Sequence, residues 1–208
     1  MPLLGSAAML LSFDVVPEAI SEHDDWHTHE HLPERLSIPG FLRGTRWVAL
    51  RGEPRYAVLY EVADLPTLTS PAYLERLNKP SAWTSKMMPH YRGMSRGFCL
   101  VTGSFGLGTG HVSVLLRFKP KPGSDAALRR WLLQDLWSPL LALPVVLLHP
   151  MLLLYPMQML CILTGSLLFL PVSHLLLLRF LLQTMELLYR FLSTVLRRLL
   201  SNDILLNS

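Results

Sequence analysis

The spacing of apolar and polar residues predicts a strand and a helix at the start of the chain. Residues 7–16 are apolar and partly alternating, which is typical of a strand. A helical pattern then runs over residues 17–36, and it begins at Pro17 because proline suits the first turn of a helix. Pro39-Gly40 ends the pattern, since neither residue continues a helix well.

The next sixty residues complete a recognisable order of elements. The pattern predicts strands over residues 41–50, 56–63 and 97–104 and a helix over residues 70–88 that is broken at Pro80. The first two of these strands flank a turn that contains Gly52. The order βαββαβ is the split βαβ arrangement, so we expect residues 1–105 to form an α+β, ferredoxin-like module.

The chain also repeats itself at an offset of 105 residues. The residues Phe13, Pro17, Trp26 and Pro39 recur as Phe118, Pro122, Trp131 and Pro144. Two copies would need about 210 residues, so the length of 208 fits two tandem modules. The glycine-rich residues 103–110 predict the boundary, and residues 110–144 are interpreted as the start of a second, degenerate copy.

Beyond residue 144 the chain becomes rich in leucine. Residues 140–208 hold 27 leucines but a single glycine, and residues 136–178 carry no charged side chain. Such a run is long enough for two membrane spans. We therefore expect residues 145–208 to form a hydrophobic helical region. Two interpretations remain open: a membrane hairpin, or an out-of-frame translation of the second module, because leucine codons read in a neighbouring frame become alanine codons.

Charge and cysteine content exclude several function classes. Only 16% of residues are charged, the net charge is +4, and basic residues alternate with acidic ones, so a nucleic acid partner is not expected. Cys99 and Cys161 lie in apolar surroundings and are interpreted as reduced core thiols. The N-terminus has no basic leader segment, so we expect a cytoplasmic location, with membrane association through the tail as the alternative.

Candidate chemistry concentrates on the predicted helix of residues 17–36. His23, His27 and His31 stand at i, i+4 and i+8 and therefore share one face of the helix. Their counterparts in the second copy are Leu128, Leu132 and Leu136. The leucines indicate a face that packs on a sheet, where imidazoles need partners or a cavity. We therefore predict a functional cleft in the first module.

Several roles are open to these histidines. His31 and His27 with Glu30 beside them are the candidate catalytic residues, because a histidine with a nearby carboxylate acts as a general acid or base near neutral pH. Two histidines four apart can also bind zinc, but a catalytic site normally has a third protein ligand, so no metal site is assigned. The remaining alternative is that the histidines are simply hydrogen-bonded at an interface.

The candidate ligand-binding residues are His23, Arg43, Arg46 and Trp47. Arg43 and Arg46 are three residues apart on a predicted strand, so they face opposite sides of the sheet. At most one of the two arginines can therefore point into the cleft.

Residues 26–47 carry a family resemblance. Glu30-His31-x-Pro33-Glu34-Arg35-Leu36, followed by Pro39-Gly40-Phe41-Leu42-Arg43, resembles the EthD-like branch of the dimeric α+β barrel superfamily. In that family a helix ending in a His-x-Pro element precedes a Pro-Gly turn into the second strand. The resemblance implies ferredoxin-like modules whose sheets pair into a barrel, between two chains of a homodimer or between tandem copies.

The same resemblance implies a function. Members of the family include small-molecule lyases, isomerases, cyclases and monooxygenase-like proteins, and His31 matches the family's recurrent histidine. We therefore expect a protein that binds a small hydrophobic or aromatic molecule between helix 17–36 and the sheet, with His31 in an acid–base or hydrogen-bonding role and no cofactor assigned. The alternative is a non-catalytic, membrane-anchored module for interaction or dimerisation, and whether the chain is an enzyme stays open.

Overall fold

The computed structural model of the chain describes residues 3–104, 112–118, 123, 125–131, 133–134, 147–155 and 158–166. It divides into two compact units, of which the first comprises residues 1–105 with residues 151–156 and the second comprises residues 106–150 with residues 157–208. The candidate site residues all belong to the first unit.

The first unit follows the predicted βαββαβ order. Its strands are β1 (Ala7–Val15), β2 (Phe41–Val48), β3 (Tyr56–Val62) and β4 (Tyr91–Ser104). Between β1 and β2 run α1 (Ile20–Trp26), a π-helical turn (His27–His31) and α2 (Leu32–Leu36), and between β3 and β4 run α3 (Pro71–Asn78) and α4 (Ala82–Met87). The ferredoxin-like α+β prediction is confirmed at this level, including the helix break around Pro80.

The four strands pair antiparallel in the order β2-β3-β1-β4. Strand β1 lies inside the sheet, where Ala7 is paired with Val62 of β3 and with Leu100 of β4. One face of the sheet carries Phe13, Val58 and Tyr60, which pack with the fully buried Trp26 in the main hydrophobic core. The helices between β1 and β2 are thereby held over this face, which positions their histidines against aromatic side chains.

The Pro-Gly turn into β2 depends on a residue without a side chain. Gly40 has a φ of +91°, a conformation that L-residues with a Cβ rarely adopt. A Cβ at this position would lie 2.7 Å from the hydroxyl oxygen of Thr67. The turn that ends the helical segment and begins β2 is therefore specific for glycine.

The described part of the leucine-rich tail contradicts the helical prediction. Residues Leu147–Tyr155 form β6 and Gln158–Ser166 form β7, so the prediction of helices over residues 145–208 is wrong for these two segments. An uninterrupted apolar run fits a buried strand as well as a helix, and periodicity alone does not separate the two. Residues 167–208 lie outside the described residues, as do 145–146 and 156–157.

In the second unit, β5 (Val112–Phe118) pairs antiparallel with β7. The described residues of helix α5 (Asp125–Trp131) lie 105 positions after those of α1. In the first unit, residues 151–154 of β6 pair antiparallel with the end of β4. Among the helices of the described ranges, none has the length and apolar character needed to cross a bilayer. Of the predicted membrane hairpin over residues 136–178, residues 136–146, 156–157 and 167–178 lie outside those ranges.

Candidate functional site

The histidine-bearing helix contains a π-helical turn at His27–His31. The sequence explains its position, because Pro33 has no backbone N–H to donate to the carbonyl of His29 and its ring disfavours a regular α-helical turn there. Single π-helical turns inside helices are rare and occur frequently at functional sites. The irregular turn thus coincides with the candidate catalytic residues.

The three histidines of the predicted stripe lie side by side, facing the sheet. The ring centroids of His23 and His27 are 5.5 Å apart, and those of His27 and His31 are also 5.5 Å apart. His23 and His27 are buried, whereas His31 is half-buried and lies with its ring 4.5 Å from that of Trp26. Access from solvent is therefore greatest at His31.

His23 is fully engaged in hydrogen bonds. Its Nδ1 lies 3.2 Å from the Asp24 carboxylate and its Nε2 lies 3.1 Å from the Tyr91 hydroxyl. A carboxylate only accepts, so Nδ1–H donates to Asp24 and Nε2 accepts from the Tyr91 O–H. Burial lowers the pKa of His23, and this arrangement suits the neutral ring. His23 therefore anchors the helix to β4 rather than offering a free nitrogen to a ligand.

His27 and His31 differ from His23 because their Nδ1 atoms are buried and have no hydrogen-bond partner among the described residues. Burial lowers the pKa of His27 to about 2, with the neighbouring His31 and Arg46 acting in the same direction. Burial likewise lowers the pKa of His31 to about 3, with the nearby charge of Arg35 acting in the same direction. Both imidazoles are neutral at pH 7. Each therefore offers an uncharged nitrogen that accepts or donates a hydrogen bond.

Glu30 holds the helix in place and is not paired with His31. Its carboxylate accepts a hydrogen bond from Trp26 Nε1 at 3.2 Å and another from the Ser81 hydroxyl. Ser81 is the N-cap of α4, where its hydroxyl oxygen accepts from the backbone N–H of Thr84 at 2.9 Å. Glu30 thus joins the histidine-bearing helix to the start of α4, a contact between residues 51 positions apart.

We expect Ser81→Ala to lower the free energy of unfolding by about 1–2 kcal/mol, because it removes both an N-cap and the donor to Glu30. Urea unfolding measures this loss. Ser85→Ala is the matched control, since the exposed Ser85 hydroxyl donates only to the Ser81 carbonyl within α4. Equal stability of the two variants would contradict the assigned role of Ser81.

The two arginines of β2 lie on opposite faces of the sheet. Arg46 is on the helix side, where it donates to the Thr28 hydroxyl at 3.0 Å and to the Asp24 carbonyl at 3.4 Å. Arg43 forms a bidentate ion pair with Glu61 on the other face. Trp47 shares that other face, because it is paired with Ala57, whereas the core residue Val58 faces the helices. The structure brings Arg46 to the histidines and keeps Arg43 and Trp47 away.

Two residues at this site, Arg35 and Tyr60, were not predicted from the sequence. Arg35 lies one helical turn beyond His31, is only 6% exposed, and has an NH1 group without a partner among the described residues. Tyr60 of β3 is buried with its hydroxyl equally unpartnered there. A sequence signal for Arg35 was present. Residues 23, 27, 31 and 35 of the first copy are all polar, whereas the corresponding residues of the second copy, 128, 132, 136 and 140, are all leucine.

The site therefore combines neutral imidazoles with one buried cation under an aromatic lining. Phe13, Tyr56 and Tyr91 surround His23, at ring-centroid distances of 5.6, 4.7 and 5.4 Å. Within the described residues, no three His, Cys, Asp or Glu side chains are grouped so that they could hold a metal ion. The groups at this site offer hydrogen bonds, aromatic contact and charge.

The fold is similar to that of one solved structure, and a second solved structure matches more weakly. A "putative monooxygenase" from Fusobacterium nucleatum matches with a TM-score of 0.56 at 9% identity, over 79% of this chain and 78% of that chain. A "putative monooxygenase" from Lactobacillus acidophilus matches with a TM-score of 0.48 at 10% identity, over 77% of this chain and 76% of that chain. No protein-family profile and no curated protein matches the chain. At 9% identity, the match to the Fusobacterium structure shows a similarity of fold alone.

Proposed function

We propose that this chain is a small-molecule-binding protein of the EthD-like kind, with tandem ferredoxin-like modules, whose ligand is hydrophobic or aromatic and contacts His31. The observation that carries the proposal is the pair of neutral imidazoles, His27 and His31, whose buried Nδ1 atoms have no partner among the described residues. A buried polar atom without a hydrogen bond is costly and is rare in native proteins. A ligand that supplies the missing partner would remove that cost.

The chemistry open to His31 is hydrogen bonding through an uncharged ring. Because its pKa is lowered to about 3, the ring is unprotonated at neutral pH and accepts a hydrogen bond from a ligand O–H rather than delivering a proton. Such a bond would orient a phenol or enol for an isomerase, lyase or monooxygenase-like reaction, whereas a ring with this pKa is a weak base for complete proton removal. His27 lies 5.5 Å away and is the more deeply buried partner.

Two further observations support the tandem organisation within this proposal. Helix α5 repeats the position of α1 at the offset of 105 residues. The match to the Fusobacterium structure spans 79% of this chain, more than the first module occupies. Because leucines occupy the positions in the second copy that correspond to the histidines, the first module is the one that binds the ligand. The nucleotide sequence around codon 144 tests the separate hypothesis of an out-of-frame tail.

We expect His31→Leu to abolish binding of 4-fluorophenol, a small aromatic probe whose hydroxyl donates to a free imidazole nitrogen. The change keeps the apolar contact with Trp26 and removes both nitrogens, so the unfolding free energy should be preserved or increased. Binding is measured by fluorine NMR line broadening and stability by urea unfolding.

The control is His29→Leu on the same turn, because the His29 side chain is 70% exposed. That variant should bind 4-fluorophenol as the unaltered protein does. Unchanged binding by His31→Leu would remove His31 from the site. A large loss of stability without a loss of affinity would show that the ring is structural.

A further inference from the structure

The stripe of polar residues on the site helix ends in a buried cation, Arg35, that has no counter-ion in the part of the chain that the structure describes. Arg35 is 6% exposed, and its NH1 group has no hydrogen-bond partner among the described residues. Arginine stays charged in proteins, and burying an unpaired charge is costly. A buried guanidinium whose NH1 group has no partner among the described residues is therefore a candidate site for an anionic ligand.

The acidic side chains around the helix are already engaged. Glu34, the neighbour of Arg35 in the chain, lies 3.8 Å from the guanidinium of Arg76. Glu30 accepts from Trp26 and Ser81, and Glu61 is paired with Arg43 on the other face of the sheet. None of the described carboxylates lies within ion-pair distance of Arg35.

The surroundings of Arg35 are aromatic. Its guanidinium carbon lies 5.9 Å from the centre of the Tyr73 ring, Tyr73 stacks on Phe41 at 5.6 Å, and the edge of Tyr60 meets Phe41 at 5.9 Å. Burial raises the pKa of Tyr60, so its unpartnered hydroxyl is protonated at neutral pH and can donate to an anion. A planar aromatic group and a negative charge fit these neighbours together.

We infer that Arg35, assisted by the Tyr60 hydroxyl, binds the carboxylate or enolate of an anionic aromatic ligand, whose other end contacts His31. The inference rests on the proposed function, since it places the charged group of the same ligand. Carboxylate oxygens suit the fork of a guanidinium, and ionic hydrogen bonds of this kind are about twice as strong as neutral ones. Arg35 would then select the ligand and hold it against the His31 ring.

The test compares 4-fluorobenzoate with its uncharged analogue 4-fluorobenzamide, both followed by fluorine NMR. We expect the benzoate to bind more tightly, and Arg35→Met to weaken benzoate binding about ten- to a hundredfold while leaving the benzamide nearly unaffected. Arg96→Met is the control, because Arg96 is exposed and also lies over an aromatic ring, 5.8 Å from the centre of Phe98. It should bind both probes normally.

The melting temperature without any probe gives a second readout. Arg35→Met removes a buried charge that has no ion-pair partner among the described residues, so the variant should melt at the same or a higher temperature. If the guanidinium served only to stabilise the fold, its removal would lower the melting temperature. A fall in the melting temperature of more than about 4 °C would therefore contradict the inference.

The outcomes separate the two proposals. If 4-fluorophenol binds through His31 but benzoate and benzamide bind equally well and independently of Arg35, the anion site is wrong and the proposed function stands. If none of the three aromatic probes binds, both proposals fail. If benzoate binding depends on Arg35 and persists in His31→Leu, the anion site stands while the role of His31 falls.

Discussion

Acidification from pH 6.5 to pH 4.5 should lower the free energy of unfolding by about 5 kcal/mol through His27 and His31 alone. An unfolded histidine takes up a proton near pH 6.5, whereas burial holds the pKa of His27 at about 2 and that of His31 at about 3. Below pH 6.5 the unfolded state therefore binds more protons than the folded state. Stability is fully present above pH 6.5 and is lost as the pH falls towards the folded pKa values.

Urea unfolding at the two pH values measures this effect. The matched variant is the double change His27→Leu and His31→Leu, which places the residues of the second copy, Leu132 and Leu136, in the first. The double variant should lose about 5 kcal/mol less than the unaltered protein over this range. Equal losses in the two proteins would mean that these imidazoles are not buried and neutral.

The second large effect is expected at the ion pair on the opposite face of the sheet. Arg43→Met should lower the free energy of unfolding by about 3–5 kcal/mol, because it leaves the carboxylate of Glu61 buried without its counter-ion. Glu61 is 1% exposed, and Arg43 reaches its two oxygens at 2.5 and 2.9 Å. The backbone N–H of Leu4 also donates to Glu61, but it carries no full charge.

Thermal or urea unfolding of three variants tests this assignment. Arg43→Met should be the least stable, and the double change Arg43→Met with Glu61→Met should recover most of the loss, because apolar side chains often replace a buried ion pair at little cost. Arg46→Met is the comparison on the other face, where the arginine side chain is 19% exposed and its guanidinium lies 3.7 Å from a carboxylate oxygen of Asp24. A loss below about 1 kcal/mol for Arg43→Met would contradict the account.

The sequence predicted the order of elements in the first unit well, because Pro17, Pro39-Gly40 and Pro80 fall at helix boundaries. It placed the start of the last strand too late, at residue 97 instead of Tyr91. The reason is a local irregularity: Gly93 has a φ of +57° and lies where the register between β1 and β4 shifts, so the apolar pattern is interrupted. The residues on either side of Gly93 are exposed, which further weakens the pattern of a half-buried strand.

The candidate site was predictable in part. The spacing of the histidines gave the shared face, and the leucines at the repeat offset gave its direction. The role of Glu30 was not predictable, because its partner Ser81 is remote in the sequence and the contact depends on how α4 is placed. The three-residue spacing of Arg43 and Arg46 predicted that one of them would be absent from the site, but it did not say which.

The central claim is that His31 carries a free, neutral ring nitrogen that meets a ligand, and the nitrogen NMR spectrum of the histidine rings tests it most directly. We expect His27 and His31 to remain neutral at pH 5, and the His31 ring signals to shift on addition of 4-fluorophenol while those of the hydrogen-bonded His23 stay in place. A His31 ring that is protonated at pH 5, or that does not respond to 4-fluorophenol, would contradict the account.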